Sequence, residues 1–149
     1  MHLAQYNIGR LVAPREDPAV AEFMDELDRI NALAEASPGY LWRAQSDEGN
    51  LTAYHLDDDP QLIPNLSVWR SVDALRAYVY RSEHRDFLRR RREWFETLGR
   101  HYLVLWWIPE DHEPTLDEGR ERLDRLKTNG PSPEAFTFRT VFDPEGVPT

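Results

Sequence analysis

Apolar side chains recur along this chain with two different periods, and the period separates strands from helices. The strand-like segments alternate from one residue to the next, whereas the helix-like segments carry apolar residues three or four positions apart. The pattern predicts strands over residues 2–8, 40–45, 65–70 and 101–108 and helices over 17–34, 71–80, 82–98 and 115–126. The turn-forming residues 46–50 predict a hairpin loop after the second strand. The order of elements is therefore β-α-β-β-α-β, followed by one more helix and a short strand over 135–138.

This order is typical of the α+β class, and specifically of a ferredoxin-like, split-βαβ antiparallel sheet with its helices on one face. The strand over 101–108 is apolar on both of its alternating faces, which indicates that the sheet is covered on both sides. Helices cover one side only, so we expect a second copy of the chain on the other, as in a homodimeric α+β barrel. We predict one domain over residues 1–140 and a loosely ordered tail over 141–149.

Composition narrows the classes of function. The chain has 18 Lys and Arg residues against 27 Asp and Glu residues, and its formal charge of -9 disfavours binding to nucleic acid or anionic lipid. It has no cysteine, which excludes disulfides, thiolate nucleophiles and cysteine metal sites. Because no apolar run is long enough for a membrane span or an export signal, we expect a cytoplasmic protein with neither nucleic-acid nor membrane partners.

Sequence motifs for common chemistries are missing. The chain has none of the widespread nucleotide-binding, zinc-protease or hydrolase signatures. The acidic, histidine-containing segments 55–59 and 110–113 occur in polar loops whose spacing does not converge on one ion, which favours solvated surface over a metal site. We therefore expect neither a metal nor a cofactor.

Two polar residues interrupt the apolar stripe of the predicted helix 82–98. Arg91 follows His84 by seven residues, so a helix would place it almost directly above the imidazole. Such a pair could hold an anionic or enolate-like ligand, with His84 as acid or base and Arg91 as the charge stabiliser. The structural alternative is that His84 bonds a backbone carbonyl and Arg91 pairs with a carboxylate such as Glu93.

Further polar and aromatic residues share the predicted inner faces. Asn31 interrupts the stripe of the first helix, where it either contacts a ligand or bonds the following loop. On the strands, Gln5 and Asn7 share one face, and Asn65, Ser67 and Trp69 share another. These residues could line a cavity, form a buried polar network or contact a second subunit. The predicted ligand-binding set is Asn7, Asn31, Trp42, Arg43, Asn65, Trp69 and Trp94.

Five segments together resemble a known family. They are NLSVW (65–69), YRSEH (80–84), RRREWF (90–95), YLVLWW (102–107) and AFTF (135–138). They are similar to segments of domain-of-unknown-function family 3291, and the resemblance runs from about residue 3 to residue 139. That family resembles the dimeric α+β-barrel group, which includes cofactor-free quinone-forming monooxygenases, polyketide cyclases, haem-dependent chlorite-degrading enzymes and stress-responsive proteins. The resemblance implies this fold and leaves the activity open.

The resemblance also implies a role for Tyr78. In the stress-responsive and polyketide-cyclase branch, a tyrosine lies six residues before a catalytic-type histidine, as Tyr78 does before His84. Six residues turn an unbroken helix through about 600°, which would place the two on different faces. A helix break at the capping residue Ser82 could bring them together. The chain has Arg-Ser-Glu at 81–83, where that branch often has a His-Pro pair.

These observations predict a small-molecule-binding protein. The first hypothesis is a cofactor-independent monooxygenase-like or polyketide-cyclase-like enzyme for an aromatic or polyketide ligand, with His84, Tyr78 and Arg91 as catalytic residues. The alternative is a non-catalytic dimeric binding or stress-response module, in which the same residues are buried polar links. A haem-binding protein ligated through His84 or His101 is a third, weaker hypothesis.

Overall fold

The computed structural model describes residues 1–45, 59–82, 84–98 and 101–149. Within them the chain forms, in order, β1 (His2–Arg10), a 3-10 turn (Pro18–Val20), α1 (Ala21–Glu35), β2 (Tyr40–Arg43), β3 (Leu62–Trp69), α2 (Val72–Arg81), α3 (His84–Arg89), α4 (Arg91–Trp94), β4 (Leu103–Ile108) and α5 (Leu116–Asn129). The predicted hairpin loop at 46–50 and most of the acidic segment at 55–59 lie outside the described residues.

Local capping signals set where several of these elements begin. The Asp17 carboxylate accepts from a backbone N–H of the 3-10 turn, and Pro18 follows it. The Ser71 hydroxyl accepts from the backbone N–H of Ala74 at the start of α2. The Thr115 hydroxyl caps α5 in the same way. The sequence signals for helix starts are therefore used as predicted.

The four strands form one antiparallel sheet in the order β2-β3-β1-β4. This is the strand order of the ferredoxin-like fold, so the predicted α+β class and topology are confirmed. The register places Gln5 opposite Ser67 and Asn7 opposite Asn65. At the outer edge of β4, Leu105 and Phe136 exchange two backbone hydrogen bonds of 2.8 Å, which accounts for the predicted short strand at 135–138.

One face of the sheet packs against α1 and α2. Leu3, Trp69 and Leu105 from three neighbouring strands form a buried cluster with Ala34 of α1 and Leu75 of α2. These strand residues belong to the alternating set in β1, β3 and β4 whose side chains point to this face of the sheet. Further along the same face the strand residues are polar, and this is where the helices stand away from the sheet to leave a cleft.

The other face of the sheet is covered by α5 from the same chain. Leu123 and Leu126 of α5 are buried against Tyr6 and Trp106. Gly119 permits this close approach, since a Cβ there would lie 2.5 Å from the Tyr6 ring. The sequence-based case for a homodimer assumed that this face has no cover within the chain. That assumption is wrong over β1 and β4, and the homodimer stays a prediction.

Residues 141–149 were expected to form a loosely ordered tail, but they fold back on the domain. Val141 and Phe142 pack against the same cluster as Phe136, and the Trp107 indole donates to the Phe142 carbonyl oxygen at 2.8 Å. The backbone N–H of Thr149 donates to the Val141 carbonyl oxygen at 2.9 Å. The apolar area that Phe142 buries holds this segment on the domain despite its prolines and glycine.

Within the described residues, no helix combines the length and the apolar character that crossing a membrane requires.

Candidate functional site

A cleft with a volume of about 230 Å³ lies between the polar part of the sheet, α1 and the segment from α2 to α4. Its floor consists of side chains from β1 and β3, and its walls are largely aromatic. A cavity of about 150 Å³ is large enough to hold benzene. The cleft therefore suits a compact ligand somewhat larger than benzene.

The cleft brings together all of the predicted site residues except Trp42. Its lining includes the three predicted catalytic residues, one from α2, one from α3 and one from α4. The predicted residues that line it are Asn7, Asn31, Arg43, Asn65, Trp69, Tyr78, His84, Arg91 and Trp94. Residues that are up to 87 positions apart in the chain (Asn7 and Trp94) thus meet at one place.

Trp42 does not line the cleft, and a β-bulge explains why. Tyr40 pairs with Trp69, but Trp42 pairs with Val68, so β2 holds one extra residue against β3. A bulge of this kind reverses the face of every later side chain in its strand. Trp42 therefore packs, partly buried, against the core on the opposite face of the sheet, while Arg43 occupies the position on the cleft side that strict alternation assigned to Trp42.

A break in the helix at Ser82 brings Tyr78 and His84 into contact. The Ser82 backbone is extended, at φ -101° and ψ -176°, and separates α2 from α3. Its hydroxyl donates to the Tyr78 carbonyl oxygen and accepts from the backbone N–H of His84 at 3.1 Å. The two ring centroids are 4.8 Å apart. The predicted break and the predicted meeting of these two side chains are both present.

The environment of Tyr78 suits a positioning role. Its ring stacks on Trp69, with centroids 5.2 Å apart and an interplanar angle of 26°. Its hydroxyl donates to the Ile30 carbonyl oxygen at 3.3 Å. Burial raises the pKa of the Tyr78 phenol, and nearby Arg43 opposes this only weakly, so the hydroxyl stays protonated at neutral pH. Because that proton already has an acceptor, Tyr78 contacts His84 through its ring and not through its hydroxyl.

The hydrogen bond of His84 determines which ring nitrogen can act as a base. Nδ1 lies 3.3 Å from the Val79 carbonyl oxygen, which can only accept. Nδ1 therefore carries the proton, and in the neutral ring Nε2 keeps its lone pair. Burial lowers the pKa of His84, with the Val79 hydrogen bond opposing the change, which favours the neutral ring at pH 7. His84 thus offers a basic nitrogen on the wall of the cleft.

Arg91 is held by aromatic rings. Its guanidinium carbon lies 4.3 Å from the centre of the Tyr102 ring and 5.0 Å from that of Phe95. Glu93, the carboxylate that the structural alternative assigned to it, pairs with Arg90 at 2.7 Å. Across the part of the chain that the structure describes, Arg91 has no carboxylate partner. It therefore presents to the cleft a positive charge that no carboxylate of the described residues pairs with.

The floor of the cleft is a chain of polar side chains across β1 and β3. Asn7 Nδ2 donates to Gln5 Oε1 at 2.8 Å. Gln5 Nε2 donates in turn to Asn65 Oδ1 at 2.6 Å and to Ser67 Oγ at 3.0 Å. Trp69 Nε1 also donates to Ser67 Oγ, at 2.9 Å. The network orients four polar groups on an otherwise apolar sheet.

Gln5 and Ser67 also lie in the site, as residues of the strand faces that could line a cavity, although the predicted ligand-binding set did not include them. Both are nearly buried, at 4% and 7% exposure, and both line the cleft. A signal for them was present in the sequence, since Gln5 lies two residues before Asn7 and Ser67 two residues after Asn65, on the same faces of their strands. A polar residue in the middle of a buried strand needs a partner, and two such residues opposite each other can satisfy this requirement.

The described residues give no support to a metal site. Among residues 1–45, 59–82, 84–98 and 101–149, no three His, Asp or Glu side chains converge as a metal-binding group. In the segment 110–113, His112 instead contacts Glu118 of α5 at 2.6 Å.

Comparison with solved structures finds chains that are similar to this one at low sequence identity. A protein of unknown function from Nitrosomonas europaea, NE2512, has a TM-score of 0.50 and 11% identity over 76% of this chain and 95% of its own. PA3566 from Pseudomonas aeruginosa has a TM-score of 0.47 and 19% identity over 70% of this chain and 88% of its own. A "putative Antibiotic biosynthesis monooxygenase" from Chloroflexus aurantiacus J-10-fl has a TM-score of 0.46 and 18% identity over 76% and 98%. At these identities the likeness concerns the fold alone.

The comparison with curated proteins finds no match. A family model, by contrast, matches residues 2–149, nearly the whole chain. Its family is described as Domain of unknown function (DUF3291), in agreement with the resemblance carried by the sequence segments. The chain belongs to this family.

Proposed function

We propose that this protein binds a compact aromatic or polyketide-like ligand in the cleft, and that His84 moves a proton to or from it. The observation that carries the proposal is the convergence of a basic imidazole nitrogen and an unneutralised guanidinium on one aromatic-walled cleft. Pockets with apolar walls and a few convergent polar groups are the usual sites of small-molecule chemistry.

The chemistry that suits these groups is enolisation. In a ligand with an acidic C–H beside a carbonyl group, His84 Nε2 takes the proton as the C–H bond breaks. The electron pair of that bond forms a carbon–carbon double bond, and the carbonyl oxygen becomes an enolate oxygen. The Arg91 guanidinium stabilises the negative charge that develops there. No cofactor is needed for this step, because the base and the charge stabiliser are both side chains.

The proposal leads to a direct test with 2-tetralone, a bicyclic ketone that has an acidic C–H between its ring and its carbonyl group. In deuterated buffer, removal and return of a proton at that carbon exchange hydrogen for deuterium, which NMR follows. We expect exchange above the buffer rate with the unaltered protein and loss of that excess in His84→Ala. His112→Ala is the matched control, because His112 contacts Glu118 of α5 and does not line the cleft.

Equal exchange by His84→Ala and the unaltered protein would refute the assignment of the base. Ligand-induced shifts in the same NMR samples show separately whether each variant still binds 2-tetralone. Loss of exchange with retained binding is the signature of a missing base, and loss of both shows that His84 holds the ligand.

A non-catalytic binding module is the second candidate function. It is favoured by the backbone bonds of the two key rings, since the Tyr78 hydroxyl and His84 Nδ1 both engage main-chain carbonyl oxygens. Such bonds are also what a structural histidine and tyrosine would make. Binding of 2-tetralone without any excess exchange would favour this candidate.

We also propose that the protein is a homodimer, on the basis of its family resemblance. Because α5 lies over β1 and β4, the remaining site for a partner on this face is the β2 side, where Leu41 and Trp42 are only partly buried. Sedimentation equilibrium measures the mass directly, and a monomer of 17.5 kDa at all concentrations would refute the proposal.

A further inference from the structure

The hydroxyl group of Ser67 is a buried polar group that proton transfer by His84 does not use. Ser67 lies in β3 on the floor of the cleft, opposite Gln5 of β1 and Arg43 of β2. Its oxygen accepts from Gln5 Nε2 at 3.0 Å and from Trp69 Nε1 at 2.9 Å. A serine hydroxyl has two lone pairs and one proton. The two donors therefore occupy both lone pairs.

The Ser67 proton has no acceptor among its neighbours. The Trp69 indole and the Arg43 guanidinium can only donate. Gln5 presents its amide nitrogen to Ser67, while Gln5 Oε1 accepts from Asn7. Within the described residues, Ser67 makes no other hydrogen bond. A buried donor without an acceptor is unfavourable, so the proton needs a partner from outside the protein.

The direction open to that proton is into the cleft. Side chains from β1 and β3 take two of the tetrahedral positions around Oγ, and Cβ takes a third. Since Ser67 lines the cleft, the fourth position is the one available to a ligand there. Only 7% of the Ser67 surface is exposed to solvent, so little water competes with a ligand for its hydroxyl.

We propose that Ser67 is a specificity-determining residue that donates its proton to an oxygen atom of the ligand. This inference rests on the proposed function, since it takes the cleft to be the ligand site. It narrows the ligand class to ring systems with a carbonyl or phenolate oxygen, and it seats that oxygen on the floor. A site built to donate to such an oxygen rejects an analogue that lacks it, because the donor is then left unpaired.

The test compares 2-tetralone with tetralin, which has the same two rings and no oxygen. Tryptophan fluorescence or NMR titration gives the ratio of the two affinities for each variant. In the unaltered protein we expect 2-tetralone to bind about tenfold more tightly, the effect of about 1.4 kcal/mol. In Ser67→Ala the ratio should fall several-fold, because 2-tetralone then loses the bond from Ser67 and keeps only its interaction with Arg91, whereas tetralin loses nothing.

A second variant keeps the Ser67 hydroxyl but takes its proton away from the ligand. In the unaltered protein the Gln5 amide donates to Ser67 Oγ. In Gln5→Glu a carboxylate replaces this amide and can accept the Ser67 proton, so that proton no longer points to the ligand. We expect the ratio to fall in this variant as well, so the inference stays testable even if Ser67→Ala does not fold. Ser37→Ala is the control, since its hydroxyl donates to the Leu33 carbonyl oxygen and lies outside the cleft. Its ratio should equal that of the unaltered protein.

The outcomes separate this inference from the proposed function. If 2-tetralone and tetralin bind equally to the unaltered protein while deuterium exchange persists, the inference is overturned and the proposed function stands. An unchanged ratio in both Ser67→Ala and Gln5→Glu overturns it too. If neither compound binds and no exchange occurs, the proposed function fails and the inference fails with it.

Discussion

Replacement of Arg91 by methionine is the perturbation that tests the charge in the cleft most directly. Methionine keeps an unbranched apolar side chain against Phe95 and Tyr102 but removes the cation. The guanidinium lies 5.0 Å and 4.3 Å from these two ring centres. Each cation–π contact is worth about 0.5–1 kcal/mol at an exposed site and about 2 kcal/mol when desolvated. Since methionine replaces part of the packing, we expect the free energy of unfolding to fall by about 1–2 kcal/mol.

The effect on ligand binding should depend on the charge of the ligand. A hydrogen bond to a charged partner contributes about 1.5–3 kcal/mol, and each 1.4 kcal/mol is about tenfold in affinity. We therefore expect Arg91→Met to weaken the binding of 2-naphthoate, an anion, by about tenfold to a hundredfold. The neutral isostere 2-naphthamide should change by less than about threefold, because it offers the cation no opposite charge.

Isothermal titration of both compounds, with urea unfolding of each variant, provides the measurement. Arg90→Met is the matched control, since the Arg90 guanidinium pairs with Glu22 and Glu93 at distances of 2.6 and 2.7 Å. This control should lose stability without losing its preference for the anion. If Arg91→Met and the unaltered protein bind 2-naphthoate alike, or if the two arginine variants behave alike, the assignment of Arg91 to the ligand is refuted.

Two further predictions concern the contact between Tyr78 and His84. Ser82→Ala removes the hydroxyl that bonds both residues, so it should cost about 0.5–2 kcal/mol of stability in urea unfolding and slow the deuterium exchange of 2-tetralone; unchanged exchange would show that the break needs no cap. His84→Gln tests the lowered pKa of the imidazole. As the pH falls, His84 is protonated at a higher pH in the unfolded chain than in the folded protein. The free energy of unfolding is therefore at its full value above the ordinary pKa of about 6.5, and it falls as the pH drops from there through the lowered pKa of the folded state. The difference in unfolding free energy between the unaltered protein and His84→Gln should therefore change in that pH range, and a difference independent of pH would contradict the shift.

Most of the fold could be predicted from the sequence because its signals are local. The Asp17-Pro18 pair, Ser71 and Thr115 begin their elements as capping chemistry requires, and the period of the apolar residues separates strands from helices. The break at Ser82 was predictable for the same reason. A cap and a helix period act over a few residues, so neighbouring residues are enough to determine them.

The position of single side chains in the site depended on contacts that the sequence does not specify. Trp42 left the cleft side because one extra residue in β2 shifts its pairing with β3, and an alternating pattern contains no sign of such a bulge. The cover that α5 provides was likewise decided by docking, since its apolar stripe could serve either a second subunit or its own sheet.

The sequence by itself determined which residues are polar among apolar neighbours, and hence that His84, Arg91 and the strand amides required partners. Only the tertiary structure decided what those partners are. Glu93 pairs with Arg90, His84 and Tyr78 bond the carbonyl oxygens of Val79 and Ile30, and the Ser67 proton has no acceptor among the residues that the structure describes. The reason is that a hydrogen bond needs two groups at about 3 Å, and residues far apart in the chain reach that distance only through packing of the whole domain.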